Sequence, residues 1–304
     1  MIGTTTLVVT LAALSLPPAG EGRLLNLLRP NQRREQSQLL PITDYATAYR
    51  TAKREHKQLL VFFHPADKPF FNDARQYRAL SNAKSWKQLD RFVLASVPLT
   101  ETLKQRGTPK RVVDHAAFAD LRSGGGVAIV DLEKPKAATY GQVVSLLRFN
   151  SGGYYTFKPA HVPMLLELPR GTLTQRSLIL AVRIHPEHPN GASGKFHQVL
   201  AKEAMSHSRN QAGMGVQGHH NWESRFHQIN ARLPGDVSAQ EVVAESWPGE
   251  DLMDACVDCV ASWRQSSGHW SAVRGRHPLF GFDIQRGGNG IWYATGLFLS
   301  LIHI

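Results

Sequence analysis

Short apolar runs alternate with helix-spaced stretches through the first half of the chain, and this alternation limits the fold more than any other feature. Gln58–Phe63, Phe92–Val97 and Gly126–Asp131 read as buried strands. Asp44–Lys57, Asp73–Leu80 and Asp114–Leu121 read as helices; in the first, Ala46, Ala48, Tyr49 and Ala52 form one apolar side. Strands alternating with helices imply an α/β sheet. Val143–Leu147 and Tyr154–Phe157, separated by Ser151-Gly152-Gly153, read as a hairpin, and His161–Leu168 as a closing helix. The second half reads differently, as helices followed by a small antiparallel sheet. Its helices are Leu173–Ile184, Leu200–Ala212 and Asp251–Ser266, the last with an apolar stripe of Leu252, Cys256, Cys259, Val260 and Trp263. Its strands are Leu279–Gln285 and Ile291–Leu299, turned by Gly287-Gly288-Asn289-Gly290.

A length of 304 residues suits two domains, and 42% hydrophobic with 19% charged residues is a globular composition. The formal net charge of +11 is concentrated early: residues 1–120 hold 18 Lys/Arg against 10 Asp/Glu. That excess is either a solvated basic face or a surface attracted to an acidic polymer or membrane. No aromatic-basic stripe accompanies it, so no specific nucleic-acid partner is expected. Leu7–Leu16 is an apolar run too short to span a bilayer, followed by Pro17-Pro18 and the small residues Ala19-Gly20. Residues 1–20 therefore read as a secretory signal peptide, despite an n-region without Lys or Arg, and 21–41 as a basic linker. Export to a periplasm, cell envelope or medium follows as an expectation.

The element order over residues 42–168 resembles a thioredoxin-like domain. That family's redox chemistry needs two cysteines after the first buried strand, where a helix N-terminus lowers the thiol pKa. Here the turn reads Phe63-His64-Pro65-Ala66-Asp67-Lys68-Pro69-Phe70-Phe71, with Lys68 and Phe71 at the cysteine positions. Gly125-Gly126 stand where the family has a proline. Disulfide exchange is excluded for this segment, which is expected to be a scaffold or binding module.

Ten of the fourteen histidines follow residue 170. Among them, Gly218-His219, Ala244-Glu245-Ser246, Trp263-x-x-Ser266-x-Gly268-His269-Trp270, Gly281-Phe282 and Gly290-Ile291-Trp292-Tyr293 stand in the order and spacing of the CAP superfamily, which groups cysteine-rich secretory proteins, antigen 5 and pathogenesis-related plant proteins and has many bacterial members. Residues 172–304 resemble that domain. The resemblance implies an α-β-α sandwich with a cleft lined by two histidines and two acids. His269 matches the histidine of the Gly-His-Tyr motif, with Trp270 replacing tyrosine. Glu245 matches the acid of the Gly-Glu-Asn motif, with Ala244 and Ser246 replacing its neighbours. His219 matches the first histidine, with His220 one position away, and Ser266 stands where the second acid would be. The implied ligand-binding set is His219, Glu245, Ser266, His269 and Trp270, with Trp270 at the cleft rim.

Two imidazoles can hold zinc or a similar divalent ion, and a carboxylate can be a third ligand or orient one ring. The metal set expected is His219, His269 and Glu245. No nucleotide cofactor is expected, and no catalytic residue is assigned. Three functions remain open: binding of a metal ion or a small or lipidic ligand without catalysis, metal-dependent hydrolysis of peptide or wall polymer, and an envelope scaffold that docks through the basic face. His207 is expected to be a structural helix histidine with Ser208 as its hydrogen-bond partner, and Trp222, Trp247, Trp263 and Trp292 to be core or cleft-wall residues. Cys256-Val257-Asp258-Cys259 reads as two buried thiols, a local disulfide or a functional dithiol.

Overall fold

Asp44 starts the first helix: its Oδ1 accepts the Thr47 amide at 2.6 Å, and α1 runs over Tyr45–Glu55 with Ala48 and Ala52 buried. Such a cap stabilises a helix by about 1 kcal/mol. The computed structural model describes residues 41–68, 88–105, 107–149, 153–233 and 237–301. These belong to a compact unit spanning Pro41–Ile304. The expected signal peptide, the linker up to Leu40, the expected helix Asp73–Leu80 and Phe71 lie outside the described residues.

β1 (Gln58–His64) is buried along its whole length and pairs in parallel with β2 (Phe92–Pro98). β3 (Thr102–Gln105) and β4 (Thr108–Arg111) form a separate hairpin that the apolar pattern does not reveal, because β4 is exposed throughout. Two 3-10 turns, Val112–Asp114 and Ala116–Leu121, stand where a helix is expected. β5 (Gly126–Val130) runs antiparallel to β1, and β6 (Val143–Arg148) antiparallel to β5, giving the sheet order β2-β1-β5-β6. Gly125 leads into β5 at φ +75°, and a Cβ there would stand 2.2 Å from the Phe63 carbonyl oxygen, so the end of β1 leaves room for glycine alone. The expected second hairpin strand is not formed. Tyr154–Phe157 is irregular, the Tyr155 hydroxyl donates to the Ala181 carbonyl at 2.8 Å, and β6 takes β5 as its partner. A 3-10 turn at Pro159–His161 and the short α2 (Val162–Leu166) follow.

The second half builds around another four-stranded sheet. α3 (Leu173–Ile184) opens with a capping box between Thr172 and Gln175. Then come β7 (Lys195–Phe196), α4 (Gln198–Met214), α5 (Trp222–Ala231), β8 (Val237–Glu245), α6 (Leu252–Gln265), α7 (Ser267–Arg274), β9 (Leu279–Arg286) and β10 (Trp292–Leu301). The sheet order is β7-β9-β10-β8. Leu200 and Ala204 of α4 pack on Leu297 and Leu299 on one face of the sheet. On the opposite face Trp263 of α6 lies 6.0 Å from Phe282. The described residues are thus mixed α/β, with two four-stranded sheets, the separate β3–β4 hairpin, and helices on both sides of the second four-stranded sheet.

The two sheets meet through Arg176 of α3. Its guanidinium, fully enclosed, donates to Ser145 Oγ (2.7 Å) and to the carbonyls of Leu168 (3.1 Å), Pro169 (2.7 Å) and Leu165 (3.3 Å). Burial lowers its pKa to about 9, so it stays protonated at neutral pH. Nearby, Arg148 bridges Asp251 at 2.8 Å and Asp254 at 2.7 Å. Cys256 and Cys259 are free, completely buried thiols, and burial pushes both well above their ordinary pKa. Among the described residues no helix is long and apolar enough to cross a membrane.

Gly281 marks the closest approach of α4 to the sheet: a Cβ there would lie 2.3 Å from the Ala201 amide nitrogen. Gly281→Ala is expected to lower stability by about 3 kcal/mol, because helix backbone must move. Gly288→Ala, where a Cβ meets nothing within 4 Å, serves as the control and stays within about 0.5 kcal/mol. Urea unfolding of the two variants reads the difference.

Candidate functional site

His219 sits in the loop between α4 and α5. α4 ends at Gly215 in the left-handed region, and Asn221, also left-handed at φ 53°, leads into α5. The intervening peptide of Gly218 is held at both ends. Its N–H donates to Gln211 Oε1 at 3.1 Å, and its carbonyl accepts from His207 Nε2 at 2.9 Å. Gln211 is itself tied to β10 through Thr295 Oγ1, at 3.0 Å. The loop that presents His219 is therefore anchored to the sheet through α4.

His269 arrives from the other side. Gly268 and His269 lie in the first turn of α7. Ser266 is its N-cap, receiving the His269 amide at 3.5 Å. Ser266 is thus a helix-starting residue that orients His269, its hydroxyl oxygen accepting from the backbone.

The two histidines meet. Their Nε2 atoms are 3.3 Å apart, with ring centroids at 5.5 Å. The carboxylate that joins them is Glu241, in the middle of β8: its Oε1 lies 2.9 Å from His219 Nδ1. Glu245, four residues further along the strand, is exposed, and among the described residues no hydrogen bond connects it to either histidine. Glu241 is also clasped by both terminal nitrogens of Arg225, with Nη2 to Oε1 at 2.8 Å. Only 1% of its side chain is exposed. Burial alone would raise its pKa; the hydrogen bonds from Arg225 and His219 outweigh this and hold the carboxyl below its usual range. Arg225 also lies over the Trp222 ring, 5.2 Å from its centroid.

These contacts fix the protons. With Glu241 ionised, His219 Nδ1 is the donor to it, and in the neutral ring the Nε2 lone pair would then face His269. Burial, and then the neighbouring His219, lower the His269 pKa, favouring its neutral form. One proton can then be shared between the two Nε2 atoms, or a cation can replace it. His207 is the structural helix histidine expected, but its partner is not Ser208. Ser208 bonds instead to the Asp283 carbonyl and Thr295. His207 donates from Nε2 to Gly218, leaving a buried Nδ1 without a partner, and burial lowers its pKa. His220 is engaged elsewhere, with Nε2 3.3 Å from the Val216 carbonyl.

Trp270 does not form the cleft rim. It is 4% exposed, its ring lies 4.8 Å from that of His185, and its Nε1 donates to Glu187 at 3.2 Å. Adjacent helix residues point about 100° apart, so a half-exposed His269 sends its neighbour into the interior. Trp263 is core, whereas Trp247 is 68% exposed. Glu241 and Arg225 escape the sequence reading; the signal for Glu241 is a lone carboxylate within the run Val237–Ala244. No family model matches the chain, and no curated protein matches it.

Proposed function

We propose that the chain is an exported, CAP-like binding protein whose His219–His269 pair holds a divalent metal ion of the zinc type, with Glu241 orienting His219. The observation that carries this is the 3.3 Å separation of the two Nε2 atoms. Two ligands at zinc–nitrogen bond lengths on a tetrahedron stand about 3.3–3.4 Å apart. A carboxylate on the far ring nitrogen is the usual support of a metal-binding histidine. Among the described residues no third His, Cys, Asp or Glu joins them around one point, so the two imidazoles are the ligands these residues offer. A bound ion would offer Lewis acidity to an anionic or water ligand completing its coordination.

Binding is favoured over hydrolysis by the state of Glu241. A carboxylate clasped by Arg225 and held below its usual pKa is a poor proton acceptor, and it faces His219 rather than the open side. The sheet order β2-β1-β5-β6, with a parallel first pair, supports a thioredoxin-like first half. Helices on both faces of β7-β9-β10-β8 support a CAP-like second half. Elemental analysis tests the proposal: about one zinc-type ion per chain is expected in the wild type and none in His269→Ala. A wild type without metal, or a variant that retains it, contradicts the proposal. Cleavage of peptides or peptidoglycan that vanishes with His269 would favour the hydrolase.

A further inference from the structure

A cavity of about 910 Å³ opens in the first half, between α1, the β3–β4 hairpin and the 3-10 turns. Its size lies within the range of small-molecule sites. Tyr45, Tyr49 and Phe118 line it, with the Tyr45 ring 6.2 Å from Tyr49 and 6.1 Å from Phe118, the latter edge-on. Leu103, Val143 and Leu173 add aliphatic wall, and these three and both tyrosines are only partly buried against the core. Among the described residues nothing covers this concave aromatic and aliphatic surface.

The mouth is cationic. Lys104 and Lys110, on opposite strands of the exposed hairpin, both line the cavity. Lys110 is the cross-strand partner of Leu103, so its aliphatic stem runs beside that wall residue on the same face, while Lys104, next to Leu103 in the strand, projects from the other face of the hairpin. Among the described residues neither lysine is paired with a carboxylate. Arg111, by contrast, is occupied: its Nε and Nη2 grip Asp114 at 2.9 and 2.7 Å. Free positive charge at the rim therefore belongs to the lysines.

We propose that this cavity binds an aromatic organic anion, a planar apolar body carrying one carboxylate or sulfonate. The rings of Tyr45, Tyr49 and Phe118 take the body by offset and edge contacts. Lys110, beside Leu103, takes the head group, and Lys104 on the hairpin's other face adds to the positive field around the opening. The site is separate from the histidine pair, and neither result below bears on metal binding.

The test uses two dyes on the full chain, followed by fluorescence. 8-Anilinonaphthalene-1-sulfonate supplies an aromatic body with an anionic group, and N-phenyl-1-naphthylamine is its uncharged counterpart. The sulfonate is expected to bind saturably at one site per chain, more weakly as salt rises. Charge reversal at the two exposed lysines (K104E with K110E) is expected to weaken the sulfonate at least tenfold and the neutral dye less than twofold. Ala117→Trp, which places a large ring in the cavity wall, should displace both dyes. The proposal is overturned if the sulfonate does not saturate, if it binds the charge-reversed protein as well as the wild type, or if charge reversal weakens both dyes equally.

Discussion

Glu241→Ala is expected to destabilise the protein by about 3 kcal/mol, the scale seen when one member of a buried ion pair is removed. The Arg225 side chain is 15% exposed and would be left with an uncompensated charge. His219 would lose the acceptor for Nδ1, and with it the tautomer that aims Nε2 at His269. Glu241→Gln should cost less, because its amide oxygen still accepts from Arg225. Glu245→Ala, at an exposed position on the same strand, should stay within about 0.5 kcal/mol. Urea midpoints at neutral pH separate these cases. Equal losses for the two glutamates would remove Glu241 from its assigned place.

Arg176→Met is expected to have a comparable or larger effect, roughly 3–5 kcal/mol, from several charge-assisted hydrogen bonds. Replacing a buried ion pair by apolar groups can be neutral when both partners go. Here the partners are backbone carbonyls of Leu165, Leu168 and Pro169, which no side-chain substitution removes. They would remain enclosed and lose their donor, and Ser145 Oγ would lose its contact as well. Because these groups lie where the two sheets meet, the loss should also loosen the junction. Hydrogen exchange should rise first at α2 and the start of α3; an increase confined to the β7-β9-β10-β8 sheet would show that Arg176 does not bind the halves together.

Much of the scaffold is written in local patterns. β1, β2 and β5 are apolar runs because both faces of the sheet are covered. Asp251 and Ser266 bound α6 as cap residues, so its extent is readable from the chain. α5 is harder to see: Glu223, Ser224, His227 and Gln228 make it largely polar, and Ile229 is its buried residue. β8 is obscured because Glu241 interrupts its apolar pattern, yet that interruption is the functional clue. The resemblance to CAP motifs leads one to expect His219 beside His269, and their Nε2 atoms stand 3.3 Å apart. The identity of their carboxylate does not follow from it, because Glu241 and Glu245 share one strand face and differ only in which of them α5 covers with Arg225. Trp270 misleads for the opposite reason: sequence adjacency to His269 becomes spatial divergence on a helix.

The central claim is that Glu241, His219 and His269 form one metal-binding unit. Calorimetric titration of Zn²⁺ into the full chain at pH 7.5 tests it most directly, with the wild type compared with His219→Ala, His269→Ala, Glu241→Gln and Glu245→Gln. The expected result is one site per chain, absent in both histidine variants, weakened about 10–100-fold in Glu241→Gln and unchanged in Glu245→Gln. Binding that persists in both histidine variants, or that depends on Glu245 rather than Glu241, would contradict the claim.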